Sequence, residues 1–193
     1  MLRHRVTHQP GFTLLEVMVT LVIFAILVAL AVPPMSRWIS NVKVRTTADA
    51  LQNGLRMAQA ESLRRSRQVV FSMTDSPNWS INTIPSMTDG TESNQLIESG
   101  TLTTVNSGVS VTGPTAICFN SMGRLVVNTS TGITGASCSA LPTGTPPVQS
   151  YVISLSSADR TMRVDVGLGG QVHMCDQNKT LSSTNPDGCA PSP

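Results

Sequence analysis

An α+β fold is predicted: one long N-terminal helix, half membrane-spanning and half amphipathic, packed on an antiparallel β-sheet head. Three observations carry it. Residues 12–32 form an apolar run with a single ionisable side chain, residues 35–67 show a stripe with helical spacing, and from residue 68 onward Ser, Thr, Gly, Asn and Pro surround short alternating segments. Aromatics make up only 4% and charged residues 12% of the chain, so the second half suits strands joined by loops rather than another helical layer. At 193 residues there is room for one globular head and a membrane segment, not for two comfortable domains.

Phe12 to Val32 gives 21 residues whose only ionisable group is Glu16, which meets the length of roughly 20 residues that a helix needs to span hydrocarbon. Arg3 and Arg5 in "MLRHRVTHQPG" hold the leader on the cytoplasmic side of the membrane and send the head outward. Ala29 and Ala31 make a weak match to a secretory cleavage site, but a patterned helix follows instead of a mature start. Gly11–Phe12 is the stronger punctuation. Glu16 needs a reason, because an ionised carboxylate in hydrocarbon costs a few kcal/mol unless a partner compensates it.

The segment "GFTLLEVMVTLVIFAILVALAVP" resembles the class III leader and N-terminal helix of type IV pilins and type II secretion pseudopilins. The resemblance implies that a prepilin peptidase cuts after Gly11 and methylates the new amine of Phe12, which leaves Glu16 as the fifth mature residue and Pro33 as the twenty-second. It also implies that Glu16 docks against the terminal amine of an adjacent subunit, so that burial of the acid becomes an assembly signal. Pro33 and Pro34 each lack an N–H donor and crowd the preceding turn, so a helix kink is expected there. The expected division is a leader at 1–11, a membrane and filament-core helix at 12–34, an amphipathic helix at 35–67 and the head at 68–193.

Along that amphipathic helix, Val44, Ala48, Leu51, Leu55, Ala58 and Ser62 recur three or four apart, a stripe suited to gripping the head. Arg56, Arg64 and Arg67 project away from it, and Gly54 weakens the helix while permitting close packing. Charge is unevenly spread. Loss of the leader removes two of the 13 basic residues and leaves 11 against 11 acids; residues 35–67 then hold seven basic and two acidic residues (+5), and residues 68–193 four basic and eight acidic (−4). The positive charge thus lies on the helix, suited to subunit contacts or anionic headgroups, while an acidic head repels phosphate.

In the head, "RQVVFSM" and "NWSINTI" read as a first pair of strands around Asp75–Pro77, and "IESGTLTTVNSGVSVTG" adds one or two more. "AICFNSMGRLVVN" reads as two strands about a turn at Asn120–Gly123, "YVISLSSADRTMRVDV" as another hairpin and "GGQVHMC" as a final strand, with "SALPTGTPPVQ" a surface loop. Cys118, Cys138, Cys175 and Cys189 allow three disulfide connectivities, of which Cys118–Cys138 with Cys175–Cys189 is favoured because each closes a local loop. No metal is expected: the cysteines are widely separated, no C-x-x-C pair exists and His173 stands alone beside them. No cofactor is expected either, since a P-loop is absent. Ser157, Asp159 and His173 spell a hydrolase triad without its nucleophile elbow, and no enzyme is expected.

The order of long helix, arginine-rich helix end, strands including "FNSMGRL" and a late Gly-rich strand resembles the GspH/FimT family of minor pilins and pseudopilins. The resemblance implies a structural subunit that primes or caps a type IV pilus, near its tip. Its implied partners are other minor and major pilins or pseudopilins, the prepilin peptidase and the inner membrane. The alternatives are an H-type pseudopilin of a type II secretion system and a DNA-binding competence pilin. Some FimT-like members bind DNA through a late Gly-Arg-x-Arg motif; the matching stretch here is Gly170-Gln171-Val172-His173, with both arginines replaced. Gln171, His173 and the nearby Arg160 and Arg163 are the weak candidates for nucleic-acid contact, and the missing charges count against DNA as a partner.

Overall fold

The apolar run and the stripe that follows it belong to one helix, α1 (Leu14–Arg65), in the computed structural model, which describes residues 11–75, 78–86, 91–102, 108–138 and 140–191. Thr13 starts it: the Glu16 backbone N–H donates to Thr13 Oγ1 at 3.2 Å and to the Thr13 carbonyl at 3.1 Å, the geometry of an N-cap. The other end closes with Arg67 N–H donating to the Ser62 carbonyl and Ser66 N–H to that of Leu63, both at 3.2 Å. This is a Schellman motif with Ser66, at φ 51°, in the left-handed position usually held by glycine.

Contacts between Cα atoms divide the chain after Trp38. In the first unit, α1 presents exposed apolar side chains, and an 18-residue window with a mean hydropathy of 2.8 makes it long and apolar enough to cross a membrane. The helix continues through Pro33 and Pro34, although neither has an N–H to give to Ala29 or Leu30.

In the second unit, from Ile39 onward, the expected stripe is the buried one: Val44, Ala48, Leu51, Leu55, Ala58 and Ser62 are all inaccessible to solvent. It packs on two sheets. The first has the order β3-β2-β1-β5, built from β1 (Val69–Asp75), β2 (Asn78–Thr83), β3 (Gln95–Thr101) and, after β4 (Ser110–Thr112), β5 (Ala116–Phe119). The second has the order β4-β6-β7-β8-β9, adding β6 (Val148–Ser154), β7 (Met162–Gly167), β8 (Val172–Thr180) and β9 (Gly188–Cys189). Val69, Phe71 and Ile81 from one sheet, with Tyr151, Ile153 and Val164 from the other, join the helix stripe in one core. Alternation along each strand supplies those inward faces, and each fully buried aliphatic or aromatic side chain contributes roughly 1.5–3 kcal/mol. Gly54 permits the close approach expected of it: a Cβ there would lie 3.1 Å from Phe71 Cε2.

Both favoured disulfides form, Cys118–Cys138 and Cys175–Cys189. The first ties the segment after β5 across the outer face of the first sheet, where Val70, Ile84, Ala116 and Ala136 form a second small core.

Three expectations for the head need correction. The second strand expected in "AICFNSMGRLVVN" is reduced to isolated bridges, Phe119 with Leu125 and Asn128 with Cys138. Side-chain hydrogen bonds divert that backbone: Asn120 Oδ1 accepts from Met122 N–H at 2.9 Å and Arg124 N–H at 3.0 Å, and Asn128 Oδ1 from Ser130 N–H at 2.8 Å. The final antiparallel strand is longer and later than "GGQVHMC", because Gly167–Gly170 closes a turn with a 2.8 Å hydrogen bond and β8 then runs to Thr180. Beyond it lies β9, which pairs with β8 in parallel, so the second sheet is mixed rather than wholly antiparallel.

Candidate assembly site and head surface

The N-terminal candidates share one helix end. Thr13, Leu14, Leu15 and Glu16 form the T-x-x-E pattern of a capping box, a helix-start signal that the sequence carries beside the glycine boundary. Glu16 sits in the first turn of α1, where a carboxylate gains about 0.3–1 kcal/mol from the helix dipole near a water-exposed end. That gives the acid a local reason to occur early in the helix, but no cation for its charge: among the described residues none lies in salt-bridge range of it. Phe12 beside it is 84% exposed. Within the span, Thr20 satisfies its own hydroxyl by donating to the Val17 carbonyl at 2.9 Å.

The head candidates divide. Arg163 lies inside the protein, 5% exposed. Its Nε and Nη2 donate to Asp165 Oδ2 at 3.1 and 2.9 Å, and Nη2 also donates to the Ala190 carbonyl at 2.8 Å. Asp165 is further held by the Ser150 hydroxyl at 2.7 Å. Arg163 therefore has no guanidinium edge to offer a nucleic acid, which corrects the expectation attached to it.

Arg160 is exposed in the turn before β7. That turn is latched to the helix, with Asn41 Oδ1 accepting from Asp159 N–H at 2.9 Å and Arg160 N–H at 3.2 Å, and Ser40 Oγ lying 2.8 Å from Ser157 Oγ. The Ser157 hydroxyl is thus engaged by Ser40, and Asp159 is used through its backbone. Neighbouring Lys179 holds the Asp187 carboxyl below its ordinary range, through a hydrogen bond of 2.5 Å.

Gln171 and His173 are both exposed, two residues apart and hence on one face of the sheet. The preceding Gly170, at φ +88°, is wedged so tightly that a Cβ would come within 2.0 Å of the Gly123 carbonyl oxygen. That carbonyl accepts Gln59 Nε2 at 3.1 Å, and the Val172 carbonyl accepts Arg56 Nη2 at 3.2 Å. The helix thus fixes the Gly167–Gly170 turn and the start of β8, next to which Gln171 and His173 lie. His173 pairs across the ladder with Asp165, three residues into β7, whereas Arg160 lies in the turn two residues before that strand begins. The structure does not gather the four nucleic-acid candidates into one patch. Among the described residues, no cluster of His, Cys, Asp and Glu is arranged to hold a metal ion.

Comparison with known proteins adds independent observations. Residues 7–32 match the prokaryotic N-terminal methylation motif, and residues 47–170 match the type II transport protein GspH family, over more than half the chain. β8, β9 and the Cys175–Cys189 disulfide follow the matched segment. Among curated proteins compared with the sequence, none matches. Similar solved structures include the type IV minor pilin FimU of Pseudomonas aeruginosa PAO1 in two crystal forms. One is 12% identical with TM-score 0.47, covering 67% of this chain and 90% of that one; the other is 12% identical with TM-score 0.48, covering 68% and 87%. The minor pseudopilin EpsH from the type 2 secretion system of Vibrio cholerae is 11% identical with TM-score 0.46, covering 69% and 97%. On the strength of the family match, the chain belongs to the GspH family, whose members are pilin-like structural subunits and not enzymes.

Proposed function

We propose that the protein is a minor subunit of a type IV pilus that helps to prime or cap fibre assembly. A prepilin peptidase cleaves after Gly11 and methylates Phe12, and the mature chain waits in the inner membrane through α1 with its head in the periplasm. It then joins other pilins near the fibre tip. The observation that carries this reading is Glu16, an acid at the start of an apolar, exposed helix and without a cationic partner among the described residues. The amine of a neighbouring subunit supplies the missing charge, and burial that is unfavourable for a lone subunit becomes favourable for a docked one. Pro33 and Pro34 supply the compliance: with two ladder hydrogen bonds missing by composition, α1 kinks there on passing from bilayer to fibre.

The family match supports a second reading, an H-type pseudopilin of a type II secretion system, which uses the same anchor and docking chemistry to move exoproteins. DNA uptake is the weaker role, since Arg163 is buried and Gln171 and His173 stand where two arginines would be needed. Deletion and restoration of the gene, with surface piliation, exoprotein secretion and transformation assayed in parallel, tests these readings. Lost piliation with intact secretion supports the pilus; lost secretion with normal pili moves the subunit to the type II machine.

A further inference from the structure

Immediately after the apolar run, α1 carries Met35, Arg37 and Trp38, all exposed, with Met35 at 60% and Trp38 at 63%. Neither apolar side chain belongs to a core cluster. An uncovered tryptophan on a helix already rich in buried apolar positions calls for something outside the chain to cover it.

We propose that the turn Met35–Trp38 seats in the headgroup layer of an anionic phospholipid membrane, with the Trp38 ring at the boundary between headgroups and acyl chains and Arg37 on lipid phosphate. The inference rests on the reading of Phe12–Val32 as a membrane span. The helical part of that span, residues 14–32, at 1.5 Å per residue comes close to filling a hydrocarbon core of about 30 Å. Met35 and Trp38 then begin about 4.5 and 9 Å beyond Val32 along the axis. Helical side chains lean toward the N-terminus and cover the turn before their own Cα, so Trp38 leans back toward the bilayer, into the layer where amphipathic rings settle. Charge favours the same occupant. Residues 35–45 contain Arg37, Lys43 and Arg45 and no acid, and a cationic segment close to the surface is attracted by anionic lipid. The head, by contrast, has more acids than bases, so this segment and not the head would sense lipid charge.

The test uses the full chain in vesicles of phosphatidylcholine, with or without phosphatidylglycerol. The chain has two tryptophans, Trp38 and Trp79, and the difference between it and a Trp38→Phe chain isolates the Trp38 signal. The expected result is stronger quenching of Trp38 by lipids brominated near the top of the acyl chain than by lipids brominated near its methyl end. A blue shift that grows with phosphatidylglycerol content, and shrinks in Arg37→Gln, is also expected. A Phe24→Trp tryptophan in the Trp38→Phe background reports on the span itself. If that residue is quenched by the deep probe while Trp38 is untouched by either, the anchor is wrong and the span stands. If neither is quenched, the span reading fails as well. Shallow quenching of Trp38 without any dependence on phosphatidylglycerol overturns the anionic-lipid claim.

Discussion

Arg163 and Asp165, two residues apart on β7, form a two-pronged ion pair inside the head, with guanidinium Nε at 3.1 Å and Nη2 at 2.9 Å from the same carboxylate oxygen. Ser150 and the Ala190 carbonyl complete the set of partners. Removing one charge leaves the other buried alone, so Arg163→Ala is expected to cost about 3–5 kcal/mol, whereas the volume-matched replacement of both by apolar residues costs far less. Chemical denaturation of the two variants measures the difference. The same Arg163→Ala change, assayed under folding conditions, should leave any duplex-DNA affinity unaltered.

Trp79 is held between two glycines. Added Cβ atoms would lie 3.5 Å from its Cζ2 at Gly54 and 2.5 Å from it at Gly100, and the Phe71 ring stacks on the indole at a centroid distance of 5.7 Å. Gly100 faces Trp79 across the β2–β3 ladder, so a methyl there must push the half-buried indole off its stack on Phe71, and Gly100→Ala is expected to destabilise the head by about 1–3 kcal/mol. In a Trp79→Leu background the same substitution should cost clearly less, and a double-mutant cycle on unfolding free energies reads out the coupling.

The end of α1 offers a gain. Ser66 holds the Schellman position at φ 51°, a conformation that costs a residue with a Cβ about 1–2 kcal/mol. Ser66→Gly should raise stability by about 1 kcal/mol, seen as a higher denaturation midpoint with unchanged slope, and Ser66→Ala should not.

One turn earlier, Glu61 accepts hydrogen bonds from Arg64 at 2.9 and 2.6 Å and from Arg65 at 2.8 Å. Those bonds pull its carboxyl from an ordinary 4.5 down to about 2. A lowered folded-state value means that the contribution is complete above the unfolded value and fades as pH falls from about 4.5 through about 2. Glu61→Gln should therefore lower the unfolding midpoint most at neutral pH, by a modest amount because Arg64 is largely solvated, and the difference from the unaltered chain should vanish as pH falls toward about 2.

How far these features can be read from sequence depends on how local their cause is. The stripe from Val44 to Ser62 is legible because helical spacing alone dictates which face is buried. The disulfide pairs follow from short loop closure. Arg163 misleads because, although Asp165 is only two residues on, the groups that complete the buried pair, Ala190 against Arg163 and Ser150 against Asp165, come from the C-terminal segment and β6, and no local pattern encodes them. "GRLVVN" misleads for the opposite reason: it has strand composition, but Asn120 and Asn128 spend their side chains on the adjacent backbone. The parallel β9, two residues long, lies below the length at which alternation shows. Of the assembly segment, the acid and its glycine boundary are plain in "GFTLLE", as is the capping pattern that places Glu16 in the first turn.

Incorporation of a Glu16→Ala chain into sheared surface fibres, measured against the unaltered chain at equal membrane abundance and with Phe12 methylation confirmed by mass, tests the docking claim most directly. Loss of the variant from the fibre, with processing intact, is the expected result. Incorporation at the unaltered level would contradict it and leave Glu16 with only its local place at the start of α1.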